Sequence, residues 1–268
     1  MQYLQFKSTR YIFLLFALLI NKSLFAQAIL NSSGEVTYDL FVNLKQYKGK
    51  LFFNSNNSLF EYKLIEDKQS KINETTSNDN PTDINFNFKI DDTLNHFVFK
   101  TSNKIIFTAK DFDKNKIIAI QENLPNFEWK ILDEFKNFGN LKCQKATTCF
   151  KGRNYIAWYA ESIPIYFGPM KFGQLPGLII EISDDKNKIL ISATSILYPK
   201  ETQVKLPKIN NTISEDEYIK RRNEYFANHE KEINEKLKRI LSKSSRNAQF
   251  SEIKIKTTTN KKSAIEIE

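Results

Sequence analysis

Cysteine, histidine, methionine and tryptophan each occur only twice in this 268-residue chain, and glycine and proline only seven times each. The two histidines, His96 and His229, could bind metal only if they met Cys143 in space, because no close-spaced ligand pair exists among them. No G-x-S-x-G stretch is present, and Cys143 sits in a strand pattern rather than at a helix start, which speaks against nucleophilic catalysis. The glycine-rich bends lack both a following helix and a G-K-[ST] element, so they form no phosphate loop. No catalytic residue, metal ligand or cofactor is therefore assigned.

Long apolar runs are also scarce. The longest is "YIFLLFALLI", Tyr11 to Ile20, which follows Lys7 and Arg10 and precedes a small-residue cleavage point after Ala26. Ten apolar residues cover about half of a ~30 Å bilayer core, so the pattern predicts a secretory signal over 1–26 rather than an anchor. No later run approaches the ~20 apolar residues of a membrane-spanning helix. Without the leader's three positive charges, 37 basic and 31 acidic residues remain, a balance of +6. The lysines are scattered rather than clustered. An exported chain of that kind points to a solvated basic surface, not to nucleic acid.

Short alternating runs dominate what is present. "GEVTYDLFV" puts Val36, Tyr38, Leu40 and Val42 on one face, and "LFEYKL" does the same with Phe60, Tyr62 and Leu64. "NFNFKI", "HFVFK", "KIIFTA", "KIIAI" and "FEWKIL" follow at short intervals, the last placing Phe127, Trp129 and Ile131 together. No spacer before residue 210 suits a βαβ crossover, so the sheet is expected to be antiparallel. Residues 66–83 hold one apolar residue in eighteen and predict a long surface loop. One helix is predicted over about 215–241, opened by a capping box of Ser214 and Glu217 and striped by Tyr218, Tyr225, Phe226, Ile233, Leu237 and Ile240. A last strand, "SEIKIK", and a polar tail over 257–268 complete the chain. If "LKCQKATTCF" is one extended strand, Cys143 and Cys149 stand about 20 Å apart and cannot bridge. A tight hairpin between them would allow a bridge, but the stronger turn signal is "KGRN", further on.

Against this scarcity, "KFGQLPGLIIEI" places two glycines and a proline beside a strongly apolar strand. Pro176 and Gly177 suit the two central positions of a type II turn, with positive φ expected at Gly177. Gly168-Pro169 and Gly173 mark further bends. "YIAWYA" and "GLIIEIS" are apolar on both sides, so both strands are expected in the middle of the sheet.

The stretch from Gly139 to Ile182 resembles the core of the GLPGLI family. The matching residues are Cys143, Lys145 and Ala146; Gly152-Arg153; Ala157-Trp158-Tyr159; Ile163-Pro164-Ile165; Gly168-Pro169; Lys171-Phe172; and Leu175-Pro176-Gly177-Leu178-Ile179. Gln174 stands where the name-giving hexapeptide has its first glycine, Met170 where an aromatic is common, and Asn140 where tyrosine is frequent. The resemblance implies an exported envelope protein of Gram-negative bacteria, in the periplasm or outer envelope, and brings no catalytic residues.

The fold expected is α+β: a curved, half-barrel-like antiparallel sheet of about eight to eleven strands, in one domain over 27–256, with the long C-terminal helix packed on it. Glu128 and Glu181 interrupt apolar strands; each is either solvent-facing or partnered by Lys145 or Arg153. The candidate ligand- or partner-binding residues are Lys145, Arg153, Tyr166, Phe167 and Lys171, with Tyr166 and Phe167 expected to be exposed in a turn. Three functions are compatible. The first is a non-catalytic protein holding a hydrophobic or peptide-like ligand between sheet and helix. The second is an interaction module that offers an edge strand to outer-membrane machinery. The third is an enzyme whose site the sequence does not announce.

Overall fold

The computed structural model describes residues 28–67, 94–112, 114, 116–209 and 211–244. The leader, the strand expected at 85–90, the loop beyond Asp67, the last strand and the tail lie outside the described residues.

Among the described residues, fourteen strands and one helix follow in chain order: β1 (Ile29–Ser32), β2 (Gly34–Val42), β3 (Lys45–Phe53), β4 (Ser58–Asp67), β5 (His96–Lys100), β6 (Lys104–Asp111), β7 (Lys116–Asn123), β8 (Lys130–Phe138), β9 (Leu141–Phe150), β10 (Arg153–Ala160), β11 (Leu178–Asp184), β12 (Ile189–Leu197), β13 (Thr202–Lys205), β14 (Thr212–Ile213) and α1 (Glu215–Ser244). Twelve form one sheet, ordered β14-β7-β6-β5-β4-β3-β2-β12-β11-β10-β9-β8, and β1 pairs with β13 separately. Every ladder is antiparallel except β14 on β7. The sheet is thus α+β and antiparallel-dominated, as expected, and wider than expected. A strand that the alternation does not announce is β3, where Tyr47, Leu51 and Phe53 are masked by Gly49 and by the outward Lys48 and Lys50.

The sheet consists of two meanders, β2–β7 and β8–β12, joined along β2 and β12. Tyr38 reinforces that joint, its hydroxyl donating to the Ile179 carbonyl at 2.7 Å. One face carries the main core: Val36, Tyr38, Leu40, Leu51, Phe53 and Phe60 from the first meander, with Tyr155, Ala157, Tyr159, Ile182 and Ile191 from the second. The segment 161–177 lies on this face and buries Ile163, Ile165, Phe172 and Leu175 in it. It touches β5 and β7 through Lys100 and Glu122, and β11 through Ile163 and Leu178. A flat sheet would hold β5 and β11 about 24 Å apart, five strand spacings of ~4.8 Å. One segment thus contacts strands on both sides of the β2–β12 joint, in keeping with a curved sheet, and we call this face inward.

The turn at Pro176-Gly177 departs from expectation. Gly177 does not adopt positive φ, so the turn is not type II; a Cβ there would collide with the Ala160 carbonyl oxygen. Glycine is required because two backbones touch, not because φ is unusual. Left-handed φ falls instead on Met170 and Gln174, at 51° and 69°. Gln174 is the position where the resembled hexapeptide has glycine. Its side chain is held on both sides, Nε2 donating to Pro125 O at 2.8 Å and Oε1 accepting from Phe127 N at 3.0 Å. "KGRN" is the expected tight turn: Lys151 and Gly152 both have positive φ between the paired Phe150 and Arg153. Cys143 and Cys149 lie in the one strand β9 as free thiols, Cys143 buried and Cys149 exposed. Ile131 is exposed on edge strand β8, next to a register shift, and does not share the burial of Phe127.

Helix α1 begins where the capping signal puts it. The Ser214 hydroxyl accepts from Glu217 N at 3.2 Å, but the Glu217 carboxylate turns to Arg221 at 2.8 Å instead of back to the cap. The helix packs on the sheet at its β7 side. Tyr218 is buried and its hydroxyl reaches the Lys110 carbonyl at 3.4 Å, while Tyr225 stacks on Phe112 and Phe226 meets the same ring at a tilt. The side chains of Ile233, Leu237 and Ile240 lie outside the described residues.

Candidate functional site

The outward face of the first meander carries an open groove of about 980 Å³. Its floor follows from strand register. One row runs across Thr37, Lys50, Glu61 and Phe97, and continues through Thr108 and Ala119. The next row holds Lys48 and Lys63 on β3 and β4, Asn95, and Ile117 on β7. Six strands at ~4.8 Å give the floor a width of about 24 Å.

A strap, residues 205–209 and 211, overhangs this floor. It leaves β13, which is pinned to β1, and enters β14, which is pinned to β7. Leu206 and Ile209 pack with Leu30, Phe52, Leu59 and Phe97 in a second, smaller apolar cluster. Lys205, Pro207, Lys208, Ile209 and Asn211 of the strap line the groove. No described residue of α1 does so. The ligand space expected between sheet and helix is thus not where the opening is: the inward face is filled by 161–177, and the opening lies on the outward face.

The groove is cationic. Lys48 pairs with Asp39 at 3.4 Å and Lys50 with Glu35 at 2.9 Å, and Glu35 also binds Lys200 at 2.9 Å. Hydrogen bonds from Lys200 and Lys50 hold the Glu35 carboxyl below its ordinary range. Among the described residues, no carboxylate pairs with Lys63, Lys205 or Lys208. Glu61 is the one carboxylate among the lining residues, and burial pushes its pKa up against the pull of Lys50. His96 is buried, its Nδ1 within 3.2 Å of both Thr108 oxygens and its ring stacked on Tyr62.

The five residues singled out from the sequence do not converge on one site. Lys145 lies on the outward face of the second meander, bound to Glu134 at 2.8 Å beside Trp158. Arg153 is on the opposite face, its guanidinium on the buried Asp184 at 2.5 Å. Asp184 also accepts from Lys188 N and Ile189 N, closing the β11–β12 turn. Tyr166 is 66% exposed, as expected. Phe167 is not: it is 8% exposed, because its backbone bridges to Gly173 and turns the ring inward. Lys171 is buried, 2.9 Å from Glu122 and 3.6 Å from Glu215, with its ammonium 3.7 Å above the Phe107 ring. Burial raises Glu122 against the opposing charge of Lys171. Burial acts on Glu215 too, but Lys151, Lys171 and Glu122 outweigh it and hold that carboxyl low. This cluster ties the loop, β7 and the start of α1 together. Glu181 is partnered not by Lys145 or Arg153 but by Lys136, at 2.8 Å.

The most consequential residue that the sequence does not single out is Lys100. It is 1% exposed, and its ammonium donates to the carbonyls of Gly168, Met170 and Phe172 at 2.6, 2.9 and 2.6 Å. Burial pushes its pKa down to about 7, while three carbonyl acceptors favour the charged form. Its place at the end of "HFVFK" is that of an ordinary solvated strand terminus. Nothing local signals that residues 168–172 supply its cage. Burial likewise pushes the Cys143 thiol up to about 11, so it is held protonated at neutral pH.

Among the described residues, no group of His, Cys, Asp and Glu is arranged to hold a metal, and no helix is long and apolar enough to cross a membrane. No curated protein matches the chain. Among solved structures, PNGF-II in a C2 crystal form aligns at 19% identity and a TM-score of 0.40, over 68% of this chain and 30% of that one. The same protein in a P21 form aligns at 19% identity and 0.40, over 66% and 29%. An uncharacterized conserved protein from Thermus thermophilus aligns at 8% identity and 0.36, over 69% and 91%. The chain therefore spans less than a third of the PNGF-II length. Residues 64–221 match the family model described as N-glycanase peptide, N-terminal domain, and with more than half of its length inside that match the chain belongs to this family.

Proposed function

We propose that the protein is an exported, non-catalytic binding domain of the bacterial envelope that holds a hydrophobic or peptide-like ligand in the outward groove. The observation that carries this reading is the 980 Å³ opening between the first meander and the strap, a volume in the range of small-molecule sites. The His96 ring there is held against Thr108 and Tyr62, and Lys50, which pulls on the Glu61 carboxyl, is itself bound to Glu35. The leader pattern and the GLPGLI-like core, which falls inside the family-matched residues, support export. The test is thermal unfolding with a panel of detergents, fatty acids and extended peptides. At least one class raises the melting temperature of the native chain, and Ala119→Trp, which fills the groove floor, abolishes the rise. No shift with any class would refute the groove as a ligand site.

A second reading rests on edge strand β8, where Ile131 and Phe135 are 49% and 47% exposed. An extended segment of a partner could add to that edge. Ile131→Lys with Phe135→Lys then removes a partner that Ala119→Trp leaves bound, as read by pull-down from envelope extract.

A further inference from the structure

The groove combines cationic and apolar positions. On β3 and β4 its floor carries Lys48, Lys50 and Lys63 beside the exposed Ile65, and the strap adds Lys205 and Lys208. On the β7 side stand Ile117 and Ala119, and Ile209 of the strap, packed on the Leu59–Phe97 cluster, adds apolar surface. The registers place these on one floor, since the row that begins at Thr37 and Lys50 ends at Thr108 and Ala119. Of the lining lysines, Lys63, Lys205 and Lys208 have no carboxylate partner among the described residues. Lys63 belongs to the floor and Lys205 and Lys208 to the strap, so both walls of the groove offer an anion unpaired ammonium groups. Ile117 is 40% exposed on the far side, an apolar surface that a nonpolar chain would cover.

Resting on the groove reading above, we propose that the occupant is an anionic amphiphile: a single acyl chain lying across the strands, with its carboxylate or phosphate head between Lys63 and Lys205 and its tail against Ile117, Ala119 and Ile209. Charge complementarity carries the proposal: five lysines against the single carboxylate of Glu61, with apolar floor positions at Ile117 and Ala119. A polymer with regularly spaced anions would call for lysines along the whole floor, and a neutral lipid would leave the cationic positions unmatched. No large aromatic platform is open in the groove, since Tyr62 and Phe97 are both buried.

The experiment is displacement of 11-(dansylamino)undecanoate fluorescence from the whole chain. Dodecanoate and dodecyl phosphate displace the probe, dodecanol does so at least tenfold more weakly, and inorganic phosphate does not. Affinity for dodecanoate falls as salt rises. Lys63→Glu with Lys205→Glu, both on exposed side chains, weakens dodecanoate at least tenfold and leaves dodecanol unchanged. Ile117→Lys weakens both. Far-UV circular dichroism and melting temperature of each variant verify folding. Dodecanol binding as tightly as dodecanoate, or an unchanged preference in the double variant, overturns the head-group assignment while the groove survives. Displacement by an acidic extended peptide in preference to dodecanoate overturns the lipid class. Binding that Ala119→Trp and Ile117→Lys both leave intact would place the amphiphile elsewhere and overturn the groove reading with it.

Discussion

The inward face of the sheet is closed by residues 161–177, whereas the outward face of the first meander is only bridged by residues 205–209 and 211. Both covers are irregular segments of similar character, each punctuated by proline. The difference lies in what the strands present to them. Inward positions are Val36, Tyr38, Leu51, Phe53 and Phe60, which exclude water and pack. Outward positions at the same height are Thr37, Lys48, Lys50, Glu61 and Lys63, which keep water and hold the cover away. Two lysines make the same contrast. Lys100 is buried because three carbonyls await its ammonium, and Lys63 is exposed because no acceptor does. What buries a lysine is the supply of acceptors, not the strand it belongs to.

That contrast can be broken most violently at Gly177. Gly177→Ala drives a Cβ into the Ala160 carbonyl, which cannot move without breaking β10, and is expected to cost about 3 kcal/mol in denaturant unfolding. Lys100→Met comes next: it strands three buried carbonyls and should cost about 2–3 kcal/mol. Its pH dependence gives an independent reading. With the folded amine near 7 and its ordinary value 10.5, the unfolded chain holds a proton that the folded chain has released between those limits. Native stability should therefore rise as pH climbs from 7 to 10.5, and Lys100→Met should flatten the rise. Ser214→Ala removes the cap of α1 and is expected to cost about 1 kcal/mol. Lys63→Glu, on the outward face, should change stability by less than about 0.5 kcal/mol. A large loss there would mean that the groove's lysines are structural after all and that the two faces differ less than described.

Alternation makes the sheet legible. Val36, Tyr38, Leu40 and Val42 share a face in the pattern and are buried on it, and the strands of Trp158 and Glu181, apolar on both sides, do lie inside the sheet. The helix start is legible because Ser214 is a local signal. The motif's turn is not, because proline-glycine marks a tight corner without saying whether φ or contact makes it tight. Phe167 eludes the sequence for a related reason: a residue in a bend can still point inward. The groove is not legible at all. Its lysines look like solvated strand positions, and only the registers of six strands and the path of the strap gather them. Lys100 lies beyond reach because its acceptors come about seventy residues later.

The joint between β2 and β12 has a bearing on how the molecule assembles. Each meander is made of neighbours in sequence and can zip from its own turns, but Leu40 meets Ile191 only after the intervening chain has folded back. Long-range pairings of that sort are entropically slow to close. Assembly should thus proceed as two independently nucleated halves that meet last along this line, with the strap, which follows β12 in the chain yet docks on β1 and β7, settling only once they have.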